Sequence, residues 1–372
     1  DASKARDAVE KSVLLDATNE DAAVMLGELH FEAGAWADAA KHLSGRASRA
    51  KELGREEGLG LALKYGEALA KSGDSAKALE AFRAAAEVAP DDRDALLAVA
   101  KATYAADAWA EAKTRYDALL KTHGKDLDEA TRAAALYEFA DATRRGGDNA
   151  AAIASLNEAA ELAPGSVRTV ELLATLHAAE GRWDEVARAK RRLLELAETD
   201  AQRFTLHMEL GELLATRLGD KAKAARSFVA ALELRPAERR ILMRLMQLYS
   251  DEKDWGRLVE IILKFADLVD DKGQLSRYYA TAAQLCEIHL NRPEEAIDYY
   301  EQALEHDPSH AAALEGLAGL RGARKDWTGL EQSYRKVLAR LGEGASASAK
   351  AKLYAALGGL YEKELKQPSE AV

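Results

Sequence analysis

From Leu61 to Pro90 the sequence LALKYGEALAKSGDSAKALEAFRAAAEVAP carries apolar residues at helical spacing, breaks at a Gly-Asp pair, resumes a second apolar stripe and closes on a proline. Apolar positions three and four apart predict two amphipathic helices, and the short polar break predicts that they fold back on each other as a hairpin. No stretch of the chain alternates apolar and polar residues as a half-buried strand would.

The same template recurs along the whole chain. It places a small residue in the first helix, helix A, at Gly27, Gly66, Ala100, Ala140, Ala174, Gly211, Ala283, Ala318 and Gly358, with Met246 departing from the pattern. The intervals, including Met246, are 39, 34, 40, 34, 37, 35, 37, 35 and 40 residues. A small residue is needed where helix A crosses closely over helix B, whose facing small residue recurs at Ala39, Ala78, Ala112, Ala152, Ala224, Ala296 and Ala371. The fifth, seventh and ninth hairpins carry Val186, Leu258 and Leu330 there, which predicts that they open slightly wider.

Gly66, Leu69, Ala78, Phe82, Ala85 and Pro90 fall in the order and spacing of the tetratricopeptide repeat, and the chain resembles that family. The resemblance covers about ten repeats, each near the family's period of about 34 residues. It implies an all-α fold, a right-handed superhelical solenoid of antiparallel helix hairpins. Residues 1–18 are then the last helix of a preceding repeat, and 19–372 one continuous solenoid. The repeats fall at about 20–52, 59–92, 93–124, 133–166, 167–199, 204–237, 239–271, 276–309, 311–342 and 351–372, the last incomplete.

Five tryptophans refine the period. Trp36, Trp109, Trp183, Trp255 and Trp327 are 73, 74, 72 and 72 residues apart, and each lies nine residues after its small residue. All open helix B of odd-numbered repeats, whereas even repeats have Ser75, Asn149, or an extra residue with Pro293 or Pro368 nearby. The true unit is a pair of repeats, and the rings are expected as wedges between hairpins. At the N-terminal end, Ala5 to Ala17 reads as a lone helix B with Ala8, Val9, Val13 and Leu14 on one face. At the other, Lys352 to Leu365 reads as helix A of the tenth repeat. Neither end carries a polar cap, so both are expected to be cut from a longer array and to self-associate through uncapped faces.

Composition narrows the function. The 52 basic and 63 acidic residues leave a net charge of −11, which disfavours nucleic acid and anionic membrane as partners. No apolar run is long enough to insert in a membrane. Cys286 is the single cysteine, so no intrachain disulfide can form; a free thiol fits a reducing compartment such as the cytoplasm, although no address is visible.

Motifs for catalysis are scarce. Walker loops, dinucleotide glycine fingerprints and Gly-x-Ser-x-Gly are absent. Ser333-Tyr334-Arg335-Lys336 matches Ser-x-x-Lys without the companions that pattern requires. His306 and His310 are four apart, but Asp307-Pro308 between them breaks the helix that would aim both at a metal. His30 and His177 read as packing residues, and Lys190-Arg191-Arg192 as a solvated face balanced by Glu195 and Glu198. No cofactor and no metal are expected.

The resemblance implies that the inner lining comes from helix A, at positions three before, one after and four after the small residue. These are Val24, Glu28 and Phe31; Leu63, Glu67 and Ala70; Leu97, Lys101 and Tyr104; Tyr137, Asp141 and Arg144. Further along come Glu171, Thr175 and Ala178; Met208, Glu212 and Ala215; Met243, Gln247 and Ser250; Ala280, Gln284 and Glu287. No asparagine follows the small residue in any repeat, so a clamp for chaperone carboxyl-terminal tails is not expected. Apolar anchors along this lining suit an extended or helical protein segment. The expected function is a non-enzymatic protein–protein interaction scaffold; the alternative is the substrate-recognition arm of a glycosyltransferase or kinase whose catalytic domain lies outside this sequence.

Overall fold

The computed structural model describes residues 2–16, 18–341 and 347–366, with side chains placed at 6–16, 18–341 and 350–366. Among these residues there are twenty α-helices and no strand. The chain divides into two compact units, Asp1–Leu196 and Ala197–Val372.

In the first unit, α1 (Ala2–Leu15) precedes five hairpins: α2 (Glu20–Glu32) with α3 (Trp36–Ala47), α4 (Arg55–Ser72) with α5 (Ser75–Val88), α6 (Arg93–Ala105) with α7 (Trp109–His123), α8 (Glu129–Arg145) with α9 (Asn149–Leu162), and α10 (Val167–Ala179) with α11 (Trp183–Leu196). The second unit holds α12 (Asp200–Thr216) with α13 (Lys221–Leu234), α14 (Arg239–Asp251) with α15 (Trp255–Ala266), α16 (Lys272–Leu285) with α17 (Pro293–His306), α18 (Ala311–Ala323) with α19 (Trp327–Arg340), and α20 (Ala347–Lys363). Within each unit, helices pack mainly on their neighbours in the chain, so the hairpins stack in line.

Local chemistry sets the helix ends. Asn19, Asp74, Asp92, Asp128, Asp148, Asp220, Asp254, Asp271 and Asp326 each accept a backbone N–H of the helix that follows. Thr199 and Gln202 form a reciprocal capping box on α12. Each such cap contributes about 1 kcal/mol. Between helices A and B one residue has positive φ in every hairpin, and one follows α20: Gly34, Gly73, Asp107, Gly147, Gly181, Gly219, Lys253, Asn291, Lys325 and Lys366. Five are glycine, which adopts this conformation freely; three are lysine, which does not.

The doubling marked by the tryptophans is also built into helix length. In odd-numbered hairpins helix A has 13 residues throughout, in α2, α6, α10, α14 and α18. In even-numbered ones it has 18 in α4 and 17 in α8, α12 and α20. Helix α16 runs for 14 residues and continues as a π-helical turn, Cys286–Leu290, which absorbs the extra residue before Pro293.

The small-residue contacts hold the hairpins shut. Ala39, Ala78, Ala112, Ala152, Ala224 and Ala296 are buried; Ala371 lies outside the described residues, as does Pro368. At Gly66 a Cβ would fall 2.6 Å from the Phe82 ring, and at Gly211 2.9 Å from Phe228, so no larger residue fits without displacing a ring. Val186, Leu258 and Leu330 are buried, and their three hairpins are the most sparsely packed of the nine complete ones. In α18 there is a further close approach at Gly316, where a Cβ would fall 2.4 Å from the Tyr300 ring of the preceding helix. One expectation is corrected: Leu14 does not pack, being 83% exposed beside Leu15, while Val9 and Val13 are half-buried against the rest of the unit. The stripe of α1 is narrower than its sequence suggests because α2 covers it from one side only.

Candidate functional site

In the first unit a cleft of about 600 Å³ opens between α4, α5 and α6. It gathers five expected lining residues, Leu63, Glu67, Ala70, Leu97 and Lys101. Leu63 and Leu97 are half-buried because each leans on an inter-hairpin core, Leu63 beside Ala62 and Ala95, Leu97 beside Leu96 and Ala100. Residues not expected on the lining complete the cleft: Ser75, Ala78 and Phe82 from α5, with Asp94, Ala98, Ala102 and Ala105 from α6. Phe82 could have been found, because it faces Gly66 across the hairpin and its ring remains half-exposed.

The charges around the cleft are unequally engaged. Glu67 pairs with Lys71 at 2.8 Å, and Asp94 with Arg93 at 2.9 Å. Lys101 is exposed and makes no ion pair or hydrogen bond among the described residues. Beside the cleft, Glu28 is bound to Lys64 at 2.5 Å. Val24 sits half-buried against Leu43, Ala47 and Leu61.

Other expected lining residues are used inside the seams between hairpins. Phe31 meets the edge of Trp36 at 5.2 Å, and Lys71 from the next hairpin lies 4.2 Å from the centroid of that indole. Tyr104 meets Trp109 in the same way at 5.3 Å, and the Arg145 guanidinium lies 3.8 Å over the indole. Tyr137 is covered by Arg168 at 4.0 Å.

Asp141, expected on the open lining, is only 5% exposed and belongs to the seam. Its carboxylate accepts from Arg144 Nη2 at 2.6 Å, Arg145 Nε at 3.1 Å and the Tyr104 hydroxyl at 3.0 Å. Burial alone would raise the Asp141 pKa; the hydrogen bonds from Arg144, Arg145 and Tyr104 outweigh it and hold the carboxyl below its ordinary value. Burial, reinforced by the bond to Asp141, pushes the Tyr104 phenol well above the usual tyrosine range. Arg144 is thereby engaged within the chain.

In the second unit Arg244 of α14 reaches Glu212 at 3.0 Å and Gln247 at 3.0 Å. Near them on the chain, Met243 is 52% exposed and Met208 half-buried. Glu171, Thr175, Gln247, Ser250 and Gln284 are exposed, Ala178, Ala215 and Glu287 half-buried, and Ala280 is buried.

The motifs set aside in the sequence are accounted for by packing. Ser333 is buried, with its hydroxyl 2.8 Å from Glu301 and 3.0 Å from the Gly329 carbonyl, beside a void of about 10 Å³. That volume has room for one water and none for a substrate. His306 ends α17 and stacks on Tyr279 at 5.5 Å, whereas His310 caps α18 through Ala313 N–H. His30 stacks on His42 at 5.5 Å. Among the described residues no three of His, Cys, Asp and Glu are placed to hold a metal ion, and no helix is long and apolar enough to cross a membrane.

Stacked antiparallel hairpins, most of them with a small-residue crossing, define an all-α helical-repeat protein. Two stretches, residues 60–92 and 288–348, match the tetratricopeptide repeat as a family. The chain therefore carries tetratricopeptide repeats, and proteins built from such repeats generally act as scaffolds for protein–protein interaction. No curated protein matches the sequence. Among solved structures it is similar to the MamA protein, at 17% identity over 49% of this chain and 94% of that one, TM-score 0.40. The C-terminal part of a TPR repeat-containing protein from Cytophaga hutchinsonii shares 17% identity over 68% of this chain and 99% of that one, TM-score 0.39. The TPR domain of P58(IPK) shares 15% over 94% and 99%, TM-score 0.28.

Proposed function

We propose that the chain is a non-enzymatic scaffold that holds a protein segment with apolar anchors along the helix A lining of its repeats, with the α4–α6 cleft as its principal seat. The observation that carries this reading is the convergence of Leu63, Leu97 and the half-exposed Phe82 ring on one open volume, within the about 300–1,000 Å³ that suits a bound side-chain group. Met208 and Met243 offer adaptable apolar contacts in the second unit, where Glu212 and Gln247 fix the flanking polar positions. Val24, Glu28, Phe31, Tyr104, Tyr137, Asp141 and Arg144 contribute mainly by fixing the spacing between hairpins, so that the lining is preorganised.

The test is selection of random linear peptides on residues 1–372, followed by affinity measurement on Leu97→Asp. A charge introduced among apolar walls is expected to weaken selected peptides by about tenfold or more while the helical circular dichroism spectrum is kept. A chain that selects no peptide, or a Leu97→Asp variant that binds as well as the wild type, overturns the reading.

A further inference from the structure

The seams between hairpins are of two kinds. After the first and third hairpins the chain fills the wedge with its own side chains: a ring at the end of helix A, the tryptophan that opens helix B, and a cationic side chain from the next helix A. Phe31, Trp36 and Lys71 make one such set, and Tyr104, Trp109 and Arg145 another. In the second unit Trp255 lies under His289 at 4.2 Å, with the rings within 14° of parallel.

After an even-numbered hairpin there is no tryptophan, and a polar bridge crosses the seam instead. Asn149 donates to Glu180 at 3.1 Å, Lys221 pairs with Asp251 at 3.1 Å, and Arg324 with Glu294 at 2.7 Å. The seam between the α4–α5 and α6–α7 hairpins is crossed by Arg83 of α5, which pairs with Glu111 of α7 at 2.5 Å outside the cleft, but among the described residues it has neither the indole set nor a bridge from the start of helix B to the end of the next helix A. The places taken by Phe31, Trp36 and Lys71 one hairpin earlier are taken here by Ala70, Ser75 and Ala105, and all three line the cleft. No bridge joins them among the described residues.

We propose that this cleft receives an aromatic side chain from the bound segment, which enters where the neighbouring seams hold the chain's own indole, and that a carboxylate beside that ring pairs with Lys101. The inference rests on the scaffold reading and specifies the ligand of the same site. Phe82 supplies an aromatic surface at 4.5–7 Å ring spacing for an incoming ring, Leu63 and Leu97 wall it, and Ala70, Ala102 and Ala105 leave the volume free. Because Glu67 and Asp94 are already paired, the uncompensated charge on the lining is the Lys101 ammonium, so the complementary segment is acidic next to its ring.

The experiment uses residues 1–372 and peptides drawn from the random library, with two cleft variants and one charge reversal. Ser75→Trp installs the missing indole, and Ala105→Arg lays a cation over the cleft from an exposed helix end, as Lys71 and Arg145 do elsewhere. The expected result is that wild-type binders share one aromatic residue with a neighbouring Asp or Glu, and that each variant weakens them by about tenfold or more. Lys101→Glu is expected to weaken the acidic binders and spare analogues with Gln in place of the acid. Should Ser75→Trp unfold, as read by circular dichroism, Ala105→Arg and Lys101→Glu carry the test alone. Binders that lack an aromatic residue, or that bind both cleft variants at wild-type strength, overturn this proposal while leaving the scaffold reading intact. The absence of any binder overturns both.

Discussion

The Tyr104 hydroxyl donates a 3.0 Å hydrogen bond to the buried carboxylate of Asp141, 37 residues further along the chain, and so fastens α6 to α8. Arg144 and Arg145 complete the carboxylate's shell, and Arg145 also covers Trp109. A single acidic side chain thus ties the third hairpin to the fourth. Tyr104→Phe is expected to cost about 1–2 kcal/mol and Asp141→Ala about 2–3 kcal/mol, read from urea denaturation. A loss under 0.3 kcal/mol, about the error of such a measurement, in either variant would show the bond to be incidental.

The same carboxylate gives a pH signature. Its folded pKa lies below its unfolded value of about 3.9, so its stabilisation is complete above that value and is lost as pH falls through the folded pKa. Asp141→Asn is expected to be less stable than wild type at neutral pH, with the gap narrowing below about pH 4. Parallel stability curves across that window would refute the assignment.

Two glycines that look equivalent in sequence should respond differently. Gly211→Ala drives a Cβ into Phe228, which is fully buried and has nowhere to go, at an expected cost of about 2–3 kcal/mol. Gly66→Ala meets Phe82, whose ring can yield into the cleft, and is expected to cost about 1 kcal/mol. Thermal melts of the two variants, run side by side, decide it; equal losses would mean that the cleft gives the Phe82 ring no freedom.

The left-handed lysines offer a gain. Lys253 and Lys325 hold φ of 57° and 59°, where glycine sits in five other hairpins. Lys253→Gly or Lys325→Gly is expected to stabilise by about 0.5–1 kcal/mol, the relief of backbone strain exceeding the added freedom of the unfolded chain. A lowered melting temperature in both would contradict the conformational argument.

Cys286 is fully buried at the start of the π-helical turn, and burial, with Glu295 adding to it, raises its thiol pKa. Its reaction with a thiol reagent is expected to follow unfolding of α16 and to be accelerated by denaturant. Fast modification of the folded chain at neutral pH would show that the turn opens readily.

Much of this architecture was legible because packing in a helix hairpin is a local affair. Gly66 and Ala78, only 12 residues apart, announce a close crossing, and the evenly spaced tryptophans announce the doublet. What could not be read was which polar group meets which across a seam. Asp141 occupies a position that faces inward in any helical wheel, yet its burial depends on Tyr104 reaching it from α6 while Arg145 of its own helix reaches back to it. The cleft was hidden for the complementary reason. Ala70, Ser75 and Ala105 are unremarkable one at a time, and their meaning lies in the bulky trio they replace one hairpin earlier. Leu14 misled because its helical face extends past the edge of its neighbour.

The alternation of 13-residue and longer first helices sets a rule for how such a chain can grow or shrink. Cutting out or inserting two adjacent hairpins together joins ends of opposite type, as everywhere else in the array. Removing one alone would abut two ends of the same type, indole against indole or polar end against polar end. Length changes by whole doublets therefore preserve every join, and changes by single hairpins leave one mismatched.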